Sequence, residues 1–284
     1  MEQKSSHRKP DWLKIQLPKG GNFTAVKEIV EKNHLHTICT SGKCPNMGEC
    51  WSAGTATFMI LGEICTRSCK FCATKTGKPL PVVPEEPFRV AESIQKMKLK
   101  HCVITSVDRD DLPDGGASHW AETILKIKEL NPNTTIEVLI PDFGGNMDHV
   151  QTVCDARPDV ISHNLETVER LTPQVRSAAQ YRRSLEVLKH IAASGVPAKS
   201  GLMLGLGETE AEILQTMDDL RSAGVRILTL GQYLQPTKTH LPVVEYVHPD
   251  TFAHYKTVGL EKKFQFVESA PLVRSSYHAE KHIG

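Results

Sequence analysis

Phe58-Met-Ile-Leu61 runs directly into Gly62-Glu-Ile-Cys65-Thr-Arg-Ser-Cys69-Lys-Phe-Cys72. The four apolar residues read as a buried strand, and the polar, cysteine-bearing segment behind them as the loop that follows it. Cys65-x3-Cys69-x2-Cys72 places three thiols on that loop. Such compact spacing suits a [4Fe–4S] cube, which takes each thiolate on a different iron. Zinc is the alternative, but its paired ligands favour a second C-x2–4-C downstream, which this chain lacks. Three thiolates are one short of a full set for a cube, so one iron would be left open.

Outward from this stretch, strands and helices alternate. A helix near 85–99 is expected from Val90, Ile94 and Met97, a strand from His101 to Val107, and a helix near 117–130 with Trp120, Ile124 and Ile127 on one face. Strands follow at Ile136–Ile140, Asp159–Leu165, Pro197–Leu206 and Ile227–Tyr233, with a last one at Phe264–Val267. Helices are expected near 147–156, 178–194, 209–223 and 250–263, two of them stopping at Gly195 and Gly224. Alternation of this kind predicts parallel βαβ units. Six units fall short of the eight of a closed (β/α)8 barrel, so an open, partial (β/α)6 barrel fits better than a doubly wound sheet. Its active site would lie at the carboxyl ends of the strands, where Cys65 and the polar stretch Thr105–Asp111 fall.

Upstream, Cys39-x4-Cys44-x5-Cys50 forms a second, looser triplet in a segment with little periodicity. The chain therefore divides into an extension over 1–57, a barrel over 58–236 and a C-terminal extension over 237–284. Lys and Arg total 34 against 33 acidic residues, a net charge of +1, which gives no support to nucleic-acid binding. The basic start has no apolar run behind it, so it does not read as a secretory signal, and no stretch approaches the about 20 apolar residues of a membrane span. A cytoplasmic protein with reduced thiols is expected, although an organelle form whose transit peptide has been removed stays open. Cys102 and Cys154 read as buried packing thiols. The 13 histidines show no metal-binding spacing.

Cys65-x3-Cys69-x2-Cys72, with Phe71 before its last cysteine, resembles the signature of the radical S-adenosylmethionine (SAM) enzymes. Together with Cys39–Cys50, Arg8–Lys14, Val103–Gly116, Ser162–Thr167, Lys199–Glu208 and Arg274-Ser-Ser-Tyr-His-Ala279, it is similar to the lipoyl synthase family over almost the whole chain. The resemblance implies two [4Fe–4S] clusters with SAM as co-substrate. Cys65, Cys69 and Cys72 would hold the cube that starts the radical. Cys39, Cys44 and Cys50, with Ser276 (less favoured, Ser275) as fourth ligand, would hold an auxiliary cube that donates sulfur. The reaction implied is insertion of two sulfurs, at C6 and C8 of an octanoyl chain on a carrier lysine.

Thr105, Ser106, Asp108, Asn164, Glu166 and Arg176 are the candidates for contacting SAM. Asn164 and Glu166 are expected at the end of the fourth strand, facing the mouth for the ribose or amino-acid part, and Arg176 would meet the carboxylate. Gly201–Gly207 is read as a close backbone approach to the adenosine. Tyr277 and His278 line a substrate channel or pack around the auxiliary cluster. Implied partners are octanoylated lipoyl carrier domains (glycine cleavage H protein and 2-oxoacid dehydrogenase E2 subunits), a low-potential donor such as ferredoxin or flavodoxin, and iron–sulfur assembly proteins. Neither nucleic acid nor a membrane is expected as a partner. Alternatives are a biotin synthase-like enzyme, an RNA methylthiotransferase, a two-cluster electron carrier and a zinc-stapled binding module.

Overall fold

The computed structural model describes residues 9–15 and 21–282; Arg8 and the basic start before it lie outside the described residues. One sheet of eight strands carries the architecture. In chain order they are β1 (His36–Thr37), β2 (Thr57–Ile60), β3 (His101–Ser106), β4 (Thr135–Leu139), β5 (Val160–Ser162), β6 (Ala198–Leu204), β7 (Ile227–Gln232) and β8 (Phe266–Ser269). Each strand pairs with its predecessor, β1 antiparallel to β2 and all the rest parallel. A doubly wound sheet reverses its strand order at a switch point. Here the order never reverses and no pairing joins β8 back to β1, so the sheet winds one way and stays open.

Helices fill the crossovers. After α1 (Gly21–Lys32), they are α2 (Glu86–Met97), α3 (Ala117–Leu130), α4 (Met147–Asp155), α5 (Tyr181–Ala193), α6 (Glu210–Ser222) and α7 (Pro249–Glu261). β2, β5 and β7 are buried along their whole length, as parallel strands covered on both faces must be. The expected stripe on α3 is fully buried, with Trp120, Ile124 and Ile127 inaccessible to solvent. A capping box starts α6: the Thr209 hydroxyl accepts from the Glu212 amide, and the Glu212 carboxylate accepts from the Thr209 amide at 2.8 Å.

Two expectations change. Residues 21–52 are not merely irregular: α1 buries Val26 and Val30, and one-turn helices form at Ile38–Ser41 and Met47–Ser52. Two buried positions make too narrow a stripe to stand out in a sequence. The fourth parallel strand of the barrel, expected to run to Leu165, stops at Ser162. Backbone contact with β6 goes on past that point, the His163 amide donating to the Lys199 carbonyl at 3.0 Å, while the His163 ring turns inward, Nδ1 to the Ile140 carbonyl and Nε2 to Ser184 Oγ, both at 2.9 Å. Cys102 and Cys154 are buried thiols, as expected. Among the described residues, no helix is long and apolar enough to cross a membrane.

The interior also holds a charge pair that spans β5. Lys199 on β6 donates to both carboxylate oxygens of Glu137 on β4, at 2.7 and 2.9 Å, with both side chains essentially inaccessible. Breaking a buried pair from one side leaves an uncompensated polar group, so Lys199→Met is expected to cost about 3–5 kcal/mol. Glu137→Leu combined with Lys199→Met should recover much of that loss in denaturant midpoints. Equal destabilisation of the single and double variants would contradict this account.

Candidate active site and cluster sites

The second triplet leaves the carboxyl end of β2 through a tightly held turn. Leu61 takes a left-handed φ of 67°, an unusual state for a branched apolar residue. Its amide donates to Glu86 Oε2 at 2.7 Å, and its carbonyl accepts from Arg109 at 3.2 Å. Glu86 is in turn hydrogen-bonded to His119 at 2.8 Å. Beyond the turn, Ile64–Cys65 and Lys75–Thr76 pair as two short parallel strands that bracket the triplet. Segments that follow other strands clamp the loop between them. Lys70 donates to the Val175 carbonyl at 2.9 Å, Leu241 donates to the Lys70 carbonyl at 3.2 Å, and His240 Nε2 meets the Cys72 carbonyl at 2.9 Å.

Cys65 Sγ accepts from the amides of Arg67 and Asp108, each at 3.4 Å, and lies 3.6 Å from an Asp108 carboxylate oxygen. Cys69 Sγ lies 3.6 Å from Ser177 Oγ. Burial, then the Asp108 charge, pushes the Cys65 thiol up to about 12, and burial raises Cys72 as well. A bound cation offsets such a cost, and soft thiolates on a short loop are the donors an iron–sulfur cube takes. Among the described residues no group of three His, Cys, Asp or Glu is placed to hold a single metal ion. A cube does not need one point of convergence, because each thiolate meets a different iron.

Arg67, inside the triplet, is the electrostatic hub of the mouth. Its guanidinium reaches Asp108 at 3.2 Å, Asp110 at 2.7 Å and Asp142 at 2.8 Å, and it is nearly buried. Burial alone would raise Asp142, but Arg67, His163 and Arg183 hold its carboxyl down at about 2. Arg67 thus ties the cysteine loop to the ends of β3 and β4. Sequence reasoning passed over Arg67, Asp142, Ser177 and His240. Only Arg67 carried a signal, as a charged residue between two of the clustered cysteines.

The expected SAM residues are largely gathered here. Ser106 Oγ and Asn164 Oδ1 are buried without a hydrogen-bond partner among the described residues. Asn164 and Glu166 lie past the end of β5 rather than on it. Glu166 has a left-handed φ of 68° and bridges to Leu202. Burial raises the Glu166 carboxyl while Arg176 and Asn164 draw it down, and its charge is felt at Cys72. Arg176 donates to Ser184 Oγ at 3.0 Å. Opposite charges beside unpartnered polar atoms suit a ligand that itself carries an amine and a carboxylate. Thr105 is the exception, because its hydroxyl turns to the Leu139 carbonyl at 3.3 Å and ties β3 to β4. At Gly201 an added Cβ would meet Thr229 Oγ1 at 2.5 Å and Asn164 Oδ1 at 3.1 Å, so the missing side chain makes room for these two neighbours.

The first triplet sits at the seam between the two edges of the open sheet. Leaving β1 at one edge, the chain winds through Cys39, Cys44 and Cys50. The Cys44 amide donates to the Cys39 carbonyl at 3.0 Å, and the Cys50 amide to the Asn46 carbonyl at 2.9 Å. Leaving β8 at the other edge, the C-terminal segment comes to meet it. Asn46 Nδ2 donates to the Leu272 carbonyl at 2.7 Å, the Tyr277 hydroxyl donates to Glu49 at 3.0 Å, and the Arg274 charge acts on Cys44. Gly231 allows this crossing, since any Cβ there would run into the Val273 carbonyl. Burial first, then Cys39 and Cys44, pushes the Cys50 thiol up to about 12. Ser275 and Ser276 are half-buried in the turn between Arg274 and Tyr277.

A radical SAM superfamily model matches residues 59–220, and a model of the N-terminal domain of lipoyl synthase matches residues 1–44. The lipoyl synthase of Parabacteroides distasonis is 67% identical over 276 residues, 97% of this chain and 98% of that protein. That of Treponema denticola is 61% identical over 98% of this chain and 96% of its own length. Among solved structures, Streptococcus suis SuiB bound to S-adenosylmethionine superposes with a TM-score of 0.58 at 13% identity, covering 80% of this chain and 55% of SuiB. HydG, a maturase of the [FeFe]-hydrogenase, also reaches 0.58 at 13% identity, over 87% of this chain and 64% of its own. At such identities the structural matches speak for the fold alone.

Proposed function

The chain belongs to the lipoyl synthase family of the radical SAM superfamily, and from that premise we propose how its residues insert two sulfur atoms, at C6 and C8, into a protein-bound octanoyl chain. When bound, SAM and the two [4Fe–4S] clusters used by this family supply the hydrogen-abstracting radical and the sulfur. Cys65, Cys69 and Cys72 hold the cube at the mouth. The amides of Arg67 and Asp108 donate to Cys65 Sγ and steady its negative charge. Arg176 meets the methionine carboxylate of SAM, and Glu166 with Asn164 takes its amine or ribose. Ser106 offers a hydroxyl that has no hydrogen-bond partner among the described residues. Asp108 acts through Cys65 and Arg67, and Thr105 serves the sheet.

Cys39, Cys44 and Cys50 hold the auxiliary cube, with Ser276, or failing that Ser275, as the fourth ligand. The observation that carries this reading is the meeting of the two chain ends at the seam, where Asn46 holds Leu272 and Glu49 holds Tyr277. More than 220 residues separate these partners in sequence, and the turn between Arg274 and Tyr277 carries both serines. Residues 1–57 and 237–284 then act as extensions that close a barrel of residues 58–236 and furnish the second cluster. Octanoylated carrier domains of the H-protein and E2 type, a ferredoxin or flavodoxin, and cluster-assembly proteins are the partners this chemistry requires. A cytoplasmic setting, where thiols stay reduced, suits the clustered cysteines.

Anaerobically reconstituted protein, given SAM, a reductant and an octanoyl-lysine peptide, should yield 5′-deoxyadenosine and a peptide heavier by two sulfur atoms in mass analysis. A peptide that gains no sulfur under conditions that release 5′-deoxyadenosine would remove the assigned reaction. For the serine, Ser275→Ala with Ser276→Ala should lower iron and sulfide by up to one cube's worth. A double variant that retains both cubes would rule the serine out.

A further inference from the structure

The C-terminal segment does not end at the seam. Beyond the serines it turns through Ala279–His282, which packs against β3 and reaches the amino-terminal part of β6 at Lys199 and of β8 at Phe266, the barrel floor. Ala279 and His282 are 1% and 4% exposed. The His282 ring lies 5.9 Å from that of Phe266, the first residue of β8. Its Nδ1 lies 3.3 Å from Lys199 Nζ, the ammonium already bound to Glu137.

A lysine ammonium has three donors. Glu137 takes two, and in a dry interior the third needs an acceptor, because a buried donor without one is costly. His282 Nδ1 is that acceptor. Burial, then Lys199, pushes the imidazole down to about 3, so the ring is neutral and its Nδ1 lone pair is available. The tail is therefore held at two points. Tyr277 is bonded to Glu49 at the seam, and His282 is bonded to the buried pair at the floor, with Ser276 six residues before it.

We infer that His282 is a positioning residue: by docking on the Lys199–Glu137 pair it latches the C-terminal segment and keeps the Ser275–Ser276 turn against Cys39, Cys44 and Cys50. This inference rests on the reading of a serine as auxiliary-cluster ligand. It adds that the ligand's placement is set inside the barrel, through a residue outside the Arg274–Ala279 motif.

The test compares full-length wild type with His282→Leu, which keeps the packing and loses the acceptor, and with His282→Gln, which restores an acceptor. In metal-free protein, hydrogen–deuterium exchange of peptides spanning residues 272–282 should rise about tenfold in His282→Leu and return most of the way in His282→Gln. Peptides from α3 and α4 should not change. In reconstituted protein, an iron chelator should strip the auxiliary cube several-fold faster from His282→Leu than from wild type. Unchanged tail exchange in His282→Leu overturns the latch, whatever the serines do. Faster tail exchange with unchanged loss of iron overturns the positioning role, provided the double serine variant does lose its cube. If the double serine variant keeps its cube, the serine reading fails and the positioning role fails with it. The exchange data would still show whether the latch itself exists.

Discussion

Cys39→Ala, Cys44→Ala and Cys50→Ala variants should each still cleave SAM to 5′-deoxyadenosine while dithiolated product falls by more than about 100-fold. The two triplets are held by different parts of the molecule, and this is why the two activities should separate. Cys65, Cys69 and Cys72 depend on the Leu61 turn, Arg67 and the loops after β5 and β7. Cys39, Cys44 and Cys50 depend on contacts at the seam, to Leu272 and Tyr277. Removing a seam thiol leaves the mouth intact, so radical generation continues without a sulfur supply. Chromatography of 5′-deoxyadenosine beside mass analysis of the peptide reads both at once. Sulfur insertion by any of the three variants would end the sulfur-donor role of this triplet.

Arg67→Met should be among the most damaging single changes outside the thiols. It strips the nearly buried guanidinium from Asp108, Asp110 and Asp142, and the Asp142 side chain has no solvent exposure. Leaving a buried carboxylate without its main cation is expected to cost about 3–5 kcal/mol, and the displaced cysteine loop should lower SAM cleavage by about 10–100-fold. Arg67→Lys should fall between, because lysine keeps the charge but cannot reproduce the two parallel bonds to Asp110 at 2.7 and 2.8 Å. The pH dependence follows in sign. Asp142 is held at about 2, below its ordinary 3.8, so its stabilising contribution is present above pH 3.8 and is lost as pH falls toward 2. In Arg67→Met burial raises the Asp142 carboxyl, and the acid limb of the stability curve should move to higher pH. Guanidinium midpoints between pH 2 and 6 check this; superimposable curves would contradict it.

The barrel was legible because its strands are apolar runs and its helices carry wide apolar stripes. Trp120, Ile124 and Ile127 predict α3 to the residue. Legibility failed where local pattern and tertiary bonding disagree. Asp159–Leu165 reads as one strand, yet the regular strand stops at Ser162 and gives way to isolated bonds to β6, such as those from the His163 and Glu166 amides to the Lys199 and Gly201 carbonyls. Thr105 looked like a cofactor contact, because nothing in a sequence reveals that its hydroxyl meets the Leu139 carbonyl. Both triplets stood out from spacing alone, and family resemblance supplied what each lacks.

By itself, then, the sequence determined the alternating parallel architecture, the two groups of three thiols and the family. The first two are properties of short windows, in which periodicity and cysteine spacing are local, and the third is the sum of such windows along the chain. Which groups stand together across the open sheet was decided only by the tertiary structure. Asn46 meets Leu272, Glu49 meets Tyr277 and Lys199 meets His282 through separations of 83 to 228 residues. Such meetings depend on where the two sheet edges end and how the chain returns between them. Desolvation then sets the energetic weight of each contact, because a thiol, a carboxylate or an ammonium acquires its cost and its partner only once the chain has folded around it.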